Sequence, residues 1–256
     1  MKKIHNPMVS VVRHFGKLIL ASTMLGMSSL GLASSVGADT KGVIELYTSQ
    51  GCSSCPPADK LAAEYAKDPN LLVLTLPVTY WDYLGWKDTF AKKEFTNRQY
   101  SYAALRGDRS VYTPQVVVNG SEHTVGSRKS AIDKLVKNDT LPVSVDLKAS
   151  DNEIAVQLGA SNSADEAVVW LVLFQQEGTV AIGRGENRNR TITYTNIVRE
   201  MRPIGKWKGE EMTISLPKTD IMQDKMNGAA ILVQTSHQGH PSKILGAASW
   251  LDKPSS

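Results

Sequence analysis

Between Val43 and Lys137 the chain switches repeatedly between two hydrophobic periods, and this alternation restricts the possible folds more than any other feature. Val43–Thr48 is rich in branched and aromatic residues and reads as a strand. Pro56–Lys67 carries Ala58, Leu61, Ala62, Tyr65 and Ala66 at helical spacing. Its two prolines fall in the first turn, where a missing N–H costs nothing. Asp68-Pro69-Asn70 stops that helix, and Leu71–Val78 is an unbroken apolar run, the pattern of a strand buried on both faces. Thr79–Thr89 is irregular and aromatic. Thr96 and Gln99 have capping-box spacing and predict a helix over Asn97–Leu105. Pro114–Val118 reads as a strand, Asn119-Gly120 as a two-residue hairpin turn and Glu122–Val125 as the returning strand. Lys129–Lys137 closes with a helix whose stripe is Ala131, Ile132, Leu135 and Val136.

The resulting order, β-α-β-α-β-β-α, implies a parallel core with an antiparallel edge, the minimal thioredoxin-like topology. After Leu141-Pro142 the texture changes. Val143–Leu147, Ile154–Leu158, Val168–Gln175, Thr179–Ile182, Thr191–Arg199, Glu211–Leu216, Ala229–Thr235 and Ile244–Trp250 read as strands, with turn signals such as Glu177-Gly178 and Asn227-Gly228 between them. Short strands punctuated this way predict a sandwich. The expected fold is therefore an α/β thioredoxin-like domain over residues 39–140, followed by an all-β sandwich-like domain over 141–256.

Residues 1–38 read as a secretory leader. Lys2, Lys3, Arg13 and Lys17 precede an apolar, small-residue stretch, and Val36-Gly37-Ala38 offers a cleavage site, with Ala33 as the second choice. Ser22, Thr23, Gly26, Ser28, Ser29 and Gly31 interrupt the stretch, so it is not expected to anchor the chain in a membrane. Four of the 29 basic residues and none of the 25 acidic ones lie in this segment, so removing it leaves a balanced chain. That balance gives no nucleic-acid footprint. The expected location is periplasmic or secreted, with no membrane attachment after cleavage.

The cysteines, Cys52 and Cys55, are three positions apart. In an oxidising compartment they are expected to bond to each other. So short a loop gives little structural stapling, because the chain-entropy gain grows with loop length. Their position at a strand-to-helix junction suggests chemistry instead. A helix N-terminus favours thiolate over thiol, and C-x-x-C cysteines have lowered pKa values. Cys52, expected to be the exposed member, would attack a substrate disulfide and Cys55 would resolve the mixed disulfide. Thr113-Pro114 directly precedes a strand, where thioredoxin-like domains place a cis proline that leaves the preceding backbone free to pair with a bound chain. Glu45 lies in a strand expected to be central, and a buried carboxylate there could accept the Cys55 proton. Thioredoxins keep an acid at a similar offset before the first cysteine.

The run from Glu45 to Asp59, including Cys52-Ser53-Ser54-Cys55-Pro56-Pro57, resembles the signature of the DUF1223 family of secreted bacterial thioredoxin-like proteins. So do Tyr80-Trp81-Asp82-Tyr83-Leu84-Gly85-Trp86-Lys87-Asp88, Val111-Tyr112-Thr113-Pro114-Gln115 and Gly185-Glu186-Asn187-Arg188-Asn189-Arg190-Thr191. Thr79 stands where the pattern has an acid. The resemblance implies the fold and export, and says little about activity. The segment containing Trp81 and Trp86 could wall a substrate site beside Cys52 or plug an interface. Arg184, Glu186, Arg188 and Arg190 could form an anion or ligand site, or they could lie on a solvated hairpin or in an interdomain ion-pair network.

The leading functional reading is thiol–disulfide exchange on exported proteins or small thiols, without a cofactor. The alternative is a partner-binding or copper- or zinc-binding protein, in which His123, His237 or His240 would join the cysteines. Pro56 after Cys55 excludes haem attachment.

Overall fold

The long apolar strand Leu71–Pro77 organises the molecule, because both its faces and both its edges are covered. In the computed structural model, which describes residues 40–162, 166–221 and 226–251, this strand is β2. It follows β1 (Gly42–Thr48) and α1 (Pro56–Tyr65). Next come α2 (Lys93–Arg106), β3 (Gln115–Val118), β4 (Glu122–Val125) and α3 (Lys129–Asn138). The second half contributes β5 (Val145–Ala149), β6 (Glu153–Leu158), β7 (Ala167–Ala181), β8 (Thr191–Trp207), β9 (Met212–Pro217), β10 (Gly228–His237) and β11 (His240–Leu251).

These strands do not separate into a thioredoxin-like α/β domain and a following sandwich. One eight-stranded mixed sheet, ordered β11-β10-β7-β8-β2-β1-β3-β4, runs through both halves. The junction is β2 against β8, parallel at Thr75 and Ile197. There the Thr75 hydroxyl donates to the Thr195 carbonyl at 2.6 Å, and the Asn196 amide donates to the Val73 carbonyl at 3.0 Å. The separate-domain expectation assumed that each half satisfied its own sheet edges. A strand as apolar as β2 leaves an edge whose N–H and C=O groups must be paired, and β8 pairs it.

Period-2 alternation sends successive β1 side chains to opposite faces. Ile44 and Leu46 pack with Val73, Val116 and Val118 under Ala58, Leu61 and Ala62 of α1 and Ile132 of α3. Val43 and Tyr47 join the other layer, where Phe95 and Tyr102 of α2 meet Val172, Phe174, Val198, Leu232 and Ala247. The three-stranded sheet β5-β6-β9 packs on strands β7, β8, β10 and β11 through Leu147, Val156, Leu171, Trp207, Ile231 and Trp250.

Two local expectations also change. Glu177-Gly178 is not a turn; β7 runs straight through it, with Gly178 opposite Tyr194. A Cβ on Gly178 would lie 2.7 Å from both Phe90 and Ile197, so glycine permits close packing there. The second helix starts at Lys93, a turn before the Thr96 and Gln99 box, and both of those side chains are buried. The Thr96 hydroxyl accepts from the Thr79 N–H at 3.0 Å, so it anchors the preceding loop instead of capping the helix.

Asn119-Gly120 does form the hairpin turn between β3 and β4, with φ of +47° and +70°, the left-handed pair such a turn requires. The same turn ties the halves together. The Asn119 side-chain oxygen accepts from the Val43 N–H at 2.8 Å, and its carbonyl accepts from the Ile244 N–H at 2.9 Å. The predicted leader lies outside the described residues. Among the described residues no helix is long and apolar enough to cross a membrane.

Candidate functional site

β1 ends at Thr48, and the chain crosses its C-terminal edge through residues 49–55 before α1 begins. Cys52 and Cys55 close this loop with a disulfide, Cα to Cα 5.4 Å. Cys55 caps α1, its carbonyl accepting from the Ala58 and Asp59 N–H groups at 2.8 and 3.1 Å. Pro56 and Pro57 occupy the first helical positions and bring no N–H groups, so the loop itself must supply donors near the sulfurs. The Cys55 N–H is taken by the Cys52 carbonyl at 3.2 Å. The Ser54 hydroxyl lies 3.4 Å from the Cys52 sulfur.

Cys52 is not the exposed member expected from the sequence. Both cysteines are fully buried, although Ser53 and Ser54 between them are exposed. Three segments enclose the loop. Trp81 lies against Gly51, where a Cβ would come within 3.0 Å of the Trp81 Cβ. The Trp81 indole N–H donates to the Thr113 hydroxyl at 2.7 Å, linking the loop to the Thr113-Pro114 peptide, which is cis. Gly126 sits between Pro114 and the start of α1; a Cβ there would be 3.1 Å from the Cβ atoms of both Pro114 and Ala58.

Trp86 donates its indole N–H to the Gln50 side-chain oxygen at 2.8 Å and carries Gly183 on its ring. The two tryptophans are therefore braces between segments. Asp88 is buried beside them and accepts from the Gln50, Phe90 and Ala91 N–H groups at 2.7, 2.8 and 3.1 Å. Burial pushes its carboxyl above the usual range, against those donors.

The third covering segment is the tip of the β7–β8 hairpin. A Glu186 carboxylate oxygen accepts from the Ser53 N–H at 3.0 Å. That contact holds the Glu186 carboxyl below its usual value. Asn187, completely buried, donates its side-chain amide to the Cys52 and Gln50 carbonyls at 2.8 and 3.0 Å. Arg190 donates to the Asn187 side-chain oxygen at 3.1 Å. Arg184 and Arg188 are exposed, and among the described residues neither they nor Arg190 forms an ion pair. Of the predicted cluster, then, Glu186 reaches the cysteine loop and Arg190 supports it through Asn187. Asn187 was not singled out from the sequence. Its partners lie 135 and 137 positions away, and only its place inside the Gly185–Thr191 motif marks it.

Glu45 is fully buried but belongs to the wrong face for Cys55. It shares the face of Val43 and Tyr47, away from α1. Its two carboxylate oxygens accept from Arg98 Nε and the Tyr102 hydroxyl, each at 2.7 Å. Arg98 and Tyr102 in turn bond Gln234 on β10, making a buried polar knot between α2 and the sheet. The proton-acceptor role expected for Glu45 is thereby corrected: register and pairing commit it to structure.

The acid on the cysteine side is Asp59. It lies one helical turn after Cys55, on the same face of α1. The Thr48 hydroxyl, on the α1 face of β1, donates to Asp59 Oδ1 at 2.8 Å, while Oδ2 is buried with no hydrogen-bond partner among the described residues. Burial pushes its carboxyl up to about 8; the Thr48 bond opposes the shift and the Asp88 charge adds to it. The Tyr194 hydroxyl of β8 is also buried with no hydrogen-bond partner among the described residues, its pKa raised by burial and then by Asp59 and Asp88. The shift favours the protonated form of Asp59 near neutral pH.

The predicted metal ligands do not converge. His123 Nδ1 bonds the Tyr112 hydroxyl and the Gln115 amide at 3.0 Å each, and His237 faces His240 across the β10–β11 turn. Among the described residues no three His, Cys, Asp or Glu side chains cluster as a metal site.

Fold and site together define a β-rich protein with a buried C-x-x-C disulfide at a helix N-terminus, in contact with the tip of the β7–β8 hairpin of the same sheet. The chain belongs to the family described as Protein of unknown function (DUF1223), whose model matches residues 43–234. It is similar to a protein of Agrobacterium tumefaciens with a crystal structure, at 36% identity and a TM-score of 0.77, covering 86% of this chain and 97% of that one. HBP35 of Porphyromonas gingivalis is similar in fold, with a TM-score of 0.57 at 15% identity, covering 84% of this chain and 76% of that one. Comparison with curated proteins finds no match.

Proposed function

We propose that the protein exchanges disulfides with thiol-bearing substrates through Cys52 and Cys55, and that it does so outside the cytoplasm on exported proteins or small thiols. The observation that carries this reading is the oxidised pair at the start of α1 with a buried acid, its carboxyl shifted upward by that burial, one turn behind it. Residues 1–38, read as a leader, support the compartment, where such a pair stays oxidised.

In the oxidising direction a substrate thiolate attacks Cys52 Sγ. The Cys52–Cys55 bond breaks, and Cys55 leaves with the electron pair and takes up a proton. A second substrate thiolate then attacks the substrate sulfur of the mixed disulfide. Cys52 departs as a thiolate, and two electrons have passed from the substrate dithiol to the protein. The reverse order reduces a substrate disulfide. Asp59 supplies the Cys55 proton in one direction and accepts it in the other. Trp81, Thr113 and cis-Pro114 form the wall beside the loop along which a substrate chain would lie.

The test is trapping in the exporting cell. Cys55→Ala should accumulate mixed disulfides through Cys52, and Cys52→Ala should not. Absence of any trapped partner in Cys55→Ala would contradict the reading.

A further inference from the structure

The paired strands β7 and β8 end at Ala181 and Thr191, and two further backbone bonds, between Ile182 and Arg190 and between Asn189 and Ile182, close the hairpin, so the sheet needs no side chain from the tip beyond. The tip nevertheless crosses to the cysteine loop and places its polar groups there. Glu186 takes the Ser53 N–H, and Asn187 takes both the Gln50 and Cys52 carbonyls. Trp86, bonded to Gln50, lies against Gly183 and Gly185 and seats the tip. Under this arrangement neither sulfur has accessible surface, while the intervening serines do.

We infer that Glu186 and Asn187 are positioning residues of a clasp that holds the Cys52–Cys55 disulfide closed, and that the tip must withdraw before a thiolate can reach Cys52. This inference builds on the exchange reading and adds its regulation. An attacking thiolate approaches along the S–S axis and needs open space behind Cys52 Sγ. The closed loop gives it none. The bonds to be broken are local, one of them to a solvent-exposed carboxylate, so opening is a sub-global fluctuation and leaves the sheet intact. The clasp also places a negative charge one residue from Cys52, which disfavours the Cys52 thiolate after reduction. A partner that draws Glu186 away would therefore both expose the disulfide and stabilise its reduced form.

The experiment uses the mature oxidised protein and dithiothreitol as the probe. One reagent thiolate attacks Cys52, Cys55 leaves and is protonated, and the reagent's second thiol displaces Cys52 to leave a cyclic disulfide. The rate is read by alkylating the freed thiols and weighing the intact protein. When opening precedes attack, Asn187→Ala should accelerate reduction about tenfold, since two hydrogen bonds of a buried amide are lost. Glu186→Ala should accelerate it about three- to fivefold, the smaller effect of an exposed charged contact. Glu186→Gln, which keeps an acceptor of the same length, should fall between wild type and Glu186→Ala. Thermal melting of the Glu186 variants should fall only by the small amount that a three- to fivefold change in opening implies; a larger fall would mark general loosening instead of unclasping. Rates equal to wild type in Glu186→Ala and Asn187→Ala would overturn the clasp. Because reduction by a small dithiol needs no physiological substrate, that outcome is distinct from failure of the trapping experiment.

Discussion

Asp59→Asn should remove a pH dependence from the stability of the oxidised protein. The folded carboxyl titrates at about 8 because it is fully buried, against an ordinary value of 3.8 in the unfolded chain. Between those values the folded state holds one proton more than the unfolded state, so stability falls as pH rises through this window. Each unit costs about 1.4 kcal/mol, and the loss stops above the folded value. Between pH 5.5 and 8.5 the wild-type protein should therefore lose about 3 kcal/mol through this residue. The substituted amide cannot ionise, and its oxygen can still accept from the Thr48 hydroxyl. Asp88 titrates in both proteins and is coupled by charge to Asp59, so the difference between the two pH profiles reports Asp59 together with that coupling. The assay is urea denaturation at a series of pH values. Profiles that run parallel would refute the buried, protonated acid and with it the proton role assigned to Asp59. The same variant should slow exchange by about 10²–10⁴-fold if proton transfer to Cys55 limits the rate.

The knot around Glu45 should behave as structure alone. Arg98→Met leaves the Glu45 carboxylate buried without its cation and should cost about 3–5 kcal/mol in urea denaturation. The reduction rate of the disulfide by dithiothreitol, read on folded protein, should be unchanged. Gly120→Ala places a Cβ at 2.3 Å from the Ser242 carbonyl on a backbone with φ of +70°. It should destabilise by about 2 kcal/mol or more, visible as a lower Tm.

What the sequence revealed was local. The Cys-x-x-Cys at a strand–helix junction, the proline pair in the first turn of α1 and the Asn119-Gly120 turn each depend on chemistry within a few residues. The β2–β8 pairing was hidden because it rests on a parallel contact between segments more than a hundred positions apart. No turn residue or periodic pattern encodes such a contact. The unbroken apolar run of β2 showed that both faces were covered but not what would pair its edge. Glu45 illustrates how a one-residue change of parity decides a role: the strand was read correctly, yet alternation turns Glu45 towards Arg98 and leaves the cysteine side to Thr48.

Asp59 was given no role from the sequence, since an acid in a first helical turn ordinarily complements the helix dipole. The hint was its place among Ala58, Leu61 and Ala62, all of them buried with it. For the contact of Asn187 with the Cys52 carbonyl, the only trace was its place inside the Gly185–Thr191 motif.

The central claim is that Cys52 and Cys55 interconvert between dithiol and disulfide during function, and the reduction potential of the pair tests it most directly. The pair should equilibrate reversibly with a thiol–disulfide buffer, with the dithiol and disulfide fractions read by alkylation and mass. The expected potential lies between about −270 and −120 mV, the span of proteins whose function is disulfide exchange. A value below about −300 mV, where structural disulfides lie, would contradict the claim and leave the bond as a fixed part of the fold.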